Sequence, residues 1–546
     1  MRKLHLISHT HWDREWYRTF QQFRLKLVHL VDGLLDILEQ DKLYKHFMLD
    51  GQTIILEDYL LMRPEKEEVI RKFIQKGRLI IGPWYILPDE FLVSPEATIR
   101  NLLQGDRICS RFGYKMMVGY EPDTFGHIGQ LPQILRGFGF DTACLWRGAP
   151  DLPSEVWWEA PDGSRVFTAH MREGYGNAAG LPTSNPDEFL AEVKRLQIML
   201  AEHSISGEHL LLMHGTDHME PPADTTAAIG STRGKLEGAK LIHSTLPDYL
   251  ASVRASLKGK ELPVMKGELR ECKRAHLLPG VLSTRMWIKQ RNRASETLLE
   301  KWVEPFSAFA RLQVEKLEHS NPPTFQCISN PAQIIHQMWH LLMENHPHDS
   351  ICGCSIDQVH DEMKVRFDQV DQIGEEITHL SLQSLAGAMD TRSPQPANGA
   401  FSAIVVFNPT TTSRTDLAQA EVHLPADVSA FTLVDQQGNS IPFQAEGLGG
   451  QDLINIQMTR KELSMLIGNM HEGRFENLSI QDLQLRREGN IIQVEATFGE
   501  NMPTNQQAWN QGAESMKGFL DDPSVSKFNI HARALAATRL LFSAPD

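Results

Sequence analysis

The most ligand-like residues of the sequence stand directly behind its first apolar run. KLHLIS leads into HTHWDREW, which places His9, His11 and Asp13 at every second position. Imidazole and carboxylate donors suit a zinc ion, and this spacing lets one loop present two of them. Later apolar runs are followed by further charged groups in the same way: Asp89 and Glu90 after RLIIGPWYILP, Asp123 after KMMVGYEP, Arg147 after TACLW and Asp217 after HLLLMHGT. A second imidazole–carboxylate group, His346, His348 and Asp349, sits in ENHPHDSICGCS between two stretches of helical periodicity. Each piece taken singly has a plain structural reading. H-x-H-x-D can be a hydrogen-bonded loop, Asp123 and Asp217 can cap helices or loops, and the histidine pair can be structural. Cys352 and Cys354 read as incidental loop thiols, because C-x-C lacks the spacing of a metal framework.

Trp16, Trp84 and Phe125 lie close in sequence to these carboxylates. Aromatics near loops are mostly core. Together with paired carboxyl groups and a metal, however, they make the pocket a sugar requires: flat faces for C–H stacking, partners for hydroxyls, and two carboxyl groups to cut a glycosidic bond.

The elements that must bring such scattered residues together are legible as well. Strand-like runs near residues 3–7, 46–50, 78–82, 115–120, 142–146, 165–170, 209–213 and 239–243 alternate with amphipathic helices such as FRLKLVHLVDGLLDILEQ. Strand and helix in turn predict an α/β fold with a mostly parallel sheet. In such folds the loops at the carboxyl ends of the strands converge on one face, where ligands bind. From Met286 to about Leu385 the pattern becomes that of a helical bundle; TRSPQPANGA (391–400) has linker composition, and FSAIVVFNP, AEVHL, FTLVD and NIIQVEATF beyond it read as antiparallel β. The expected domains are an α/β domain over 1–275, a helical bundle over 276–390 and a β-sandwich-like domain over 400–546.

Composition narrows the functional classes. A chain of 546 residues predicts about three domains. The net charge of −15, with no basic patch, argues against nucleic acid and anionic membrane surfaces as partners. The start is too polar for a secretory segment, no stretch approaches a membrane span, and six sparse cysteines suit a reducing compartment; a cytoplasmic location is expected.

In order along roughly the first 390 residues run HTHWDREW, LDGQTIILEDY, IIGPWYILPDEFLVS, GYEPDTFGHIGQLP, LWRG, HGTDH, GVLSTRMWIKQ and NHPHDSICGC. This ordered set resembles the retaining α-mannosidases of glycoside hydrolase family 38, most closely the bacterial cytoplasmic branch that includes mannosylglycerate hydrolases. The resemblance implies a seven-stranded β/α barrel followed by a helical bundle and β domains. It implies that His11, Asp13, Asp123 and His348 bind Zn2+, that Asp123 is also the nucleophile, and that Asp217 is the general acid/base. It further implies substrate contacts from Trp16, Phe125, Arg147 and Asp349. Two departures stand out: G-T-D replaces the family's G-D-D type segment at Asp217, and family members usually continue through further β domains, so a fragment or a shortened chain is expected.

The function these readings predict is zinc-assisted, retaining hydrolysis of terminal α-mannosides, with mannosylglycerate among the candidate substrates. Two rivals remain at this level. A zinc deacetylase or amidohydrolase also uses such motifs but ionises a metal-bound water, and a non-catalytic mannose-binding remnant would keep the pocket without turnover. The expected partner is a small carbohydrate, and a homo-oligomer is compatible with the sequence.

Overall fold

A computed structural model describes residues 1–317, 331–391, 403–423, 430–448, 451–500, 502 and 504–544. It divides into two compact units, Met1–Gly387 and Ala388–Asp546. Nearly all of the linker-like stretch 391–400 lies outside the described residues.

In the first unit, β1 (Arg2–Thr10) is buried from Leu4 onward, on both faces, as a strand with parallel neighbours on either side is. It pairs in parallel with β2 (Phe47–Leu49), β8 (His209–His214) and β9 (Ala239–His243), and β2 pairs onward with β3 (Leu79–Ile80). β8 runs along one edge of β1, while β9 and β2 share the other. A second sheet has the order β10–β6–β7–β5–β4, formed by β4 (Gly119–Glu121), β5 (Thr142–Leu145), β6 (Glu155–Glu159), β7 (Arg165–His170) and β10 (Val264–Lys266). All its pairs are parallel except the β6–β7 hairpin.

The two sheets enclose one interior. Ile7, Met48, Ile80, Tyr120, Cys144, Phe167 and Met213, from β1, β2, β3, β4, β5, β7 and β8, meet in a single buried cluster. Between the sheets, single hydrogen bonds replace a ladder: Met116 N–H to Ile81 O at 3.0 Å, and Ala178 N–H to Met213 O at 3.0 Å. Strands of two or three residues, such as β2, β3 and β4, are too short to extend the pairing. Strand pairing therefore does not run continuously round seven strands.

The helices Met286–Thr297, Glu304–Leu317, Ala332–Met343 and Asp357–Gly387 form the expected helical region, with a π turn at Leu298–Val303 joining the first two. They share their core with the α/β part: Ile288, Leu299, Met338, Leu342, Met363 and Phe367 pack into the same cluster as Trp12, Phe23, Leu27 and Tyr85. That common core makes residues 1–387 one unit.

The second unit holds an antiparallel sheet, β11 (Asp416–Val422), β18 (Ala537–Ala544) and β12 (Phe443–Leu448), and a five-stranded sheet in the order β13–β17–β16–β15–β14. The latter comprises β13 (Asp452–Met458), β14 (Arg474–Phe475), β15 (Leu478–Glu488), β16 (Ile491–Glu500) and β17 (Lys527–Ala534). Two helices, Arg460–Gly468 and Gln506–Asp521, are additional to the all-β expectation. Thr459 and Glu462 form a capping box at the first, and Asn505 caps the second. FTLVD is not a strand; it enters a turn in which Asp435 N–H donates to Asn439 O at 2.9 Å. Among the described residues no helix is long and apolar enough to cross a membrane.

Candidate active site

Strand register builds the centre of the site. The β1–β8 register carries on past the last ladder pair, Ser8 with His214, to a bridge between His11 and Asp217. His11 N–H donates to Thr216 O at 3.1 Å, and His218 N–H donates to His11 O at 2.8 Å. Gly215 makes this approach feasible, since a Cβ there would lie 1.9 Å from His9 O. A second bridge, Pro88 to Pro347, joins the loop after β3 to the helical region, and His348 N–H donates to Leu87 O at 3.1 Å. The next residues of the first loop lock the same joint: Arg14 donates to Asp58 and Glu344, while Ser350 and Arg366 donate to the fully buried Glu15 at 2.8 and 2.7 Å. Pairing of β4 with β5 sets Asp123 beside Arg147, whose Nε donates to Asp123 Oδ1 at 2.6 Å.

Four side chains from three distant stretches of sequence converge there. His11 Nε2 lies 3.1 Å from Asp13 Oδ1 and 3.9 Å from Asp123 Oδ2; His348 Nε2 lies 3.5 Å from Asp13 Oδ1 and 3.6 Å from Asp123 Oδ2. His11 Nε2, Asp13 Oδ1 and His348 Nε2 are buried with no satisfying hydrogen bond, an arrangement that is costly without a ligand. In a tetrahedral zinc site with bonds of about 2.0–2.1 Å the donors stand about 3.3 Å apart, close to these separations. Two imidazoles and two carboxylates also form a suitable donor set. The residues present therefore fit the ion.

The electrostatics point the same way. Burial opposes charge on the imidazoles, but Asp50 and Asp13 raise His11 well above the ordinary histidine value, and Asp349, Asp123 and Asp13 raise His348 to about 9. Burial likewise opposes ionisation of Asp13 and Asp123, yet His11 and His348 hold Asp13 low, and His348, Arg147 and His11 hold Asp123 low. Burial pushes Asp349 up to about 7, with Asp13 and Asp123 adding to the effect. Carboxylates outnumber cations here, so the cluster attracts positive charge.

The remaining expected residues distribute unevenly. Asp217 accepts a hydrogen bond from the Tyr175 hydroxyl at 2.7 Å, and both Asp217 and Asp123 belong to donor groups lying within 4.8 Å that include His11. The Phe125 ring stands edge-on to His348 at 5.5 Å, and Asp349 Oδ2 is 3.8 Å from His348 Nε2. The described contacts of Trp16 run to Tyr17 and the adjoining core rather than to the cluster. His9 and His346 are buried and bonded elsewhere, to Tyr175 O and Asn292. Asp89 and Glu90 are likewise engaged, with Cys352 and Phe91 N–H, and with His127 and Ile128 N–H.

Sequence reasoning passed over three contributors. Asp50 follows β2 and accepts from His11 Nδ1; Tyr175 follows β7; and the Cys354 thiol donates to Asp349 Oδ1 at 3.1 Å. The first two obey the strand-end rule that marked the others.

Residues 1–268 match the family described as "Glycosyl hydrolases family 38 N-terminal domain", and residues 276–385 match "Alpha mannosidase middle domain". Through these two domains the chain belongs to glycoside hydrolase family 38. It is 42% identical over 384 residues to a protein of Halalkalibacterium halodurans named "Putative mannosylglycerate hydrolase", a match covering 67% of this chain and 41% of that protein. It is 26% identical over 400 residues to human "Alpha-mannosidase 2C1", covering 72% of this chain and 36% of the relative. The crystal structure of an alpha-mannosidase from Enterococcus faecalis V583 superposes with a TM-score of 0.74 at 27% identity, covering 100% of this chain and 55% of that one. These matches thus span well under two thirds of the relatives' own length.

Proposed function

We propose that this family 38 chain carries the active site of a retaining exo-α-mannosidase acting on terminal α-mannosides, α-mannosylglycerate among them. The observation that supports the reading is the convergence of His11, Asp13, Asp123 and His348 beside Asp217. The seven inward-facing strands support the expected barrel as the frame, and the unpaired state of the described cysteines supports a cytoplasmic location.

His11, Asp13, Asp123 and His348 would hold a zinc ion, which when bound would orient sugar hydroxyls and balance negative charge. Asp123, kept anionic by its neighbours, attacks the anomeric carbon. A bond forms from its carboxylate oxygen to that carbon as the glycosidic bond breaks, and Asp217 gives its proton to the departing oxygen. Asp217, then a carboxylate, removes a proton from the water that hydrolyses the mannosyl ester. Arg147 holds Asp123 in line, Phe125 walls the sugar, and Asp349 accepts from hydroxyls. A metal-activated-water mechanism assigns no attack on carbon to any carboxylate, so the covalent ester separates the two chemistries.

A fluorinated mannosyl fluoride that forms the ester faster than it hydrolyses tests the reading. Mass spectrometry should find one added sugar on the peptide containing Asp123, and NMR of early product from an aryl α-mannoside should show the α-anomer. Absence of both turnover and adduct from metal-replete protein would overturn it.

A further inference from the structure

Asp50 touches neither the expected substrate contacts nor the cluster centre, yet it has the most fully engaged carboxylate of the site. We propose that Asp50 is the positioning residue that fixes His11 as a metal ligand through Nε2 and thereby sets the site's affinity for its ion. The inference rests on the metal reading above.

Two independent features of the geometry carry it. The first is the bonding. Asp50 is completely buried, its oxygens lie 3.0 and 3.1 Å from His11 Nδ1, and Oδ2 also accepts from Trp12 N–H at 2.7 Å and from Gln52 Nε2 at 2.8 Å. A carboxylate can only accept, so Nδ1 must carry a proton, and Nε2, facing Asp13 and Asp123, is the nitrogen whose lone pair an ion would take in exchange for a proton. Because Trp12 lies between His11 and Asp13, one carboxylate steadies the loop that bears two of the four donors. Gln52 donates in addition to Trp12 O at 2.8 Å, which closes the brace.

The second feature is the backbone. Asp50 has φ 47° and Gly51 φ 68°. Left-handed conformations are uncommon for residues with a side chain, although Asp tolerates them. A Cβ on Gly51 would lie 2.7 Å from Tyr120 Cδ1, so the turn is also pressed against the barrel interior. Such local strain persists where the surroundings over-determine it. Here it delivers the Asp50 carboxylate to the ring nitrogen of His11 that faces away from the cluster.

Asp50→Asn provides the test. Asparagine loses the charge and sets an NH2 in place of one oxygen, so in either orientation an amide donor faces a donor, the Nδ1–H of His11 or the N–H of Trp12. Zinc affinity, measured by competition with a chromophoric chelator, should weaken about 10–100-fold, and the visible spectrum of the cobalt-substituted protein should change, while thermal unfolding in chelator stays close to wild type. Affinity within twofold of wild type with an unchanged cobalt spectrum would overturn the inference and leave the metal reading standing; wild-type protein that binds no zinc or cobalt would remove both. Should the variant fail to fold, a crystal structure of the zinc-loaded wild type decides: ligation through Nε2 with Nδ1 on Asp50 supports the inference, and ligation through Nδ1, or none by His11, rejects it.

Discussion

Tyr175 donates its hydroxyl to Asp217 at 2.7 Å while its ring lies 4.8 Å from the imidazole of His11. One buried phenol thus touches both the expected acid/base and an expected metal ligand. Removing the hydroxyl should impair only steps that need a correctly aimed proton. Tyr175→Phe is expected to lower kcat/KM by about 10–100-fold for mannosides with poor leaving groups, the worth of one hydrogen bond to a charged group, and by little for a dinitrophenyl mannoside. Equal losses on both substrates would mean that Tyr175 acts by packing alone.

The two carboxylates should separate kinetically. Asp123→Ala should abolish turnover of every mannoside, because the nucleophile is needed whatever leaves. Asp217→Ala should lose about 10²–10⁴-fold on unactivated substrates, show a burst with a nitrophenyl mannoside and then stall. Azide should restore turnover and yield the α-mannosyl azide. Wild-type rates on natural mannosides would reduce Asp217 to a structural residue.

Glu296 gives a pH signature away from the catalytic cluster. It accepts from Ser94 N–H at 2.7 Å, and burial pushes it up to about 7 from the ordinary 4.5 despite that bond. The folded protein therefore keeps a proton that the unfolded chain has already released, so this contribution to stability is complete below pH about 4.5 and is lost as pH rises through about 7. Glu296→Gln should flatten the fall in urea midpoint across that window; an unchanged slope would assign the pH dependence to other groups.

Arg366→Ala should be strongly destabilising. It strips the cation from the fully buried Glu15, to which Arg366 donates at 2.7 Å, and breaking a buried pair costs about 3–5 kcal/mol. Urea unfolding measures the loss. Restoration by the double variant Glu15→Gln, Arg366→Ala would confirm that the stranded charge is the cause.

Much of the site could be read without coordinates because it follows one rule. His11, Asp13, Asp123, Arg147 and Asp217 all follow strands, and parallel strands bring such loops to one face. Asp50 behind β2 and Tyr175 behind β7 satisfy the rule too, but an Asp in a turn and a single tyrosine carry no metal-like spacing. In HTHWDREW the residues divide in a way that type alone does not reveal, His11 and Asp13 facing the cluster while Arg14 and Glu15 clamp the helical region. The helices of the second unit had visible capping signals, T-R-K-E at Thr459 and Asn505, that the surrounding β-rich composition masked. FTLVD has strand chemistry, but the D-Q-Q-G-N turn that follows interrupts it.

Ser350 and Glu15 bond across 335 residues of chain, and His348 stands at the same joint. A ribosome delivers these partners in order, so the loop bearing His11 and Asp13 emerges long before the imidazole that completes its cluster. On the proposed metal reading, ion capture would then be a late event in the life of each molecule, and a nascent chain stalled before residue 348 would carry both sheets of the first unit without a finished site.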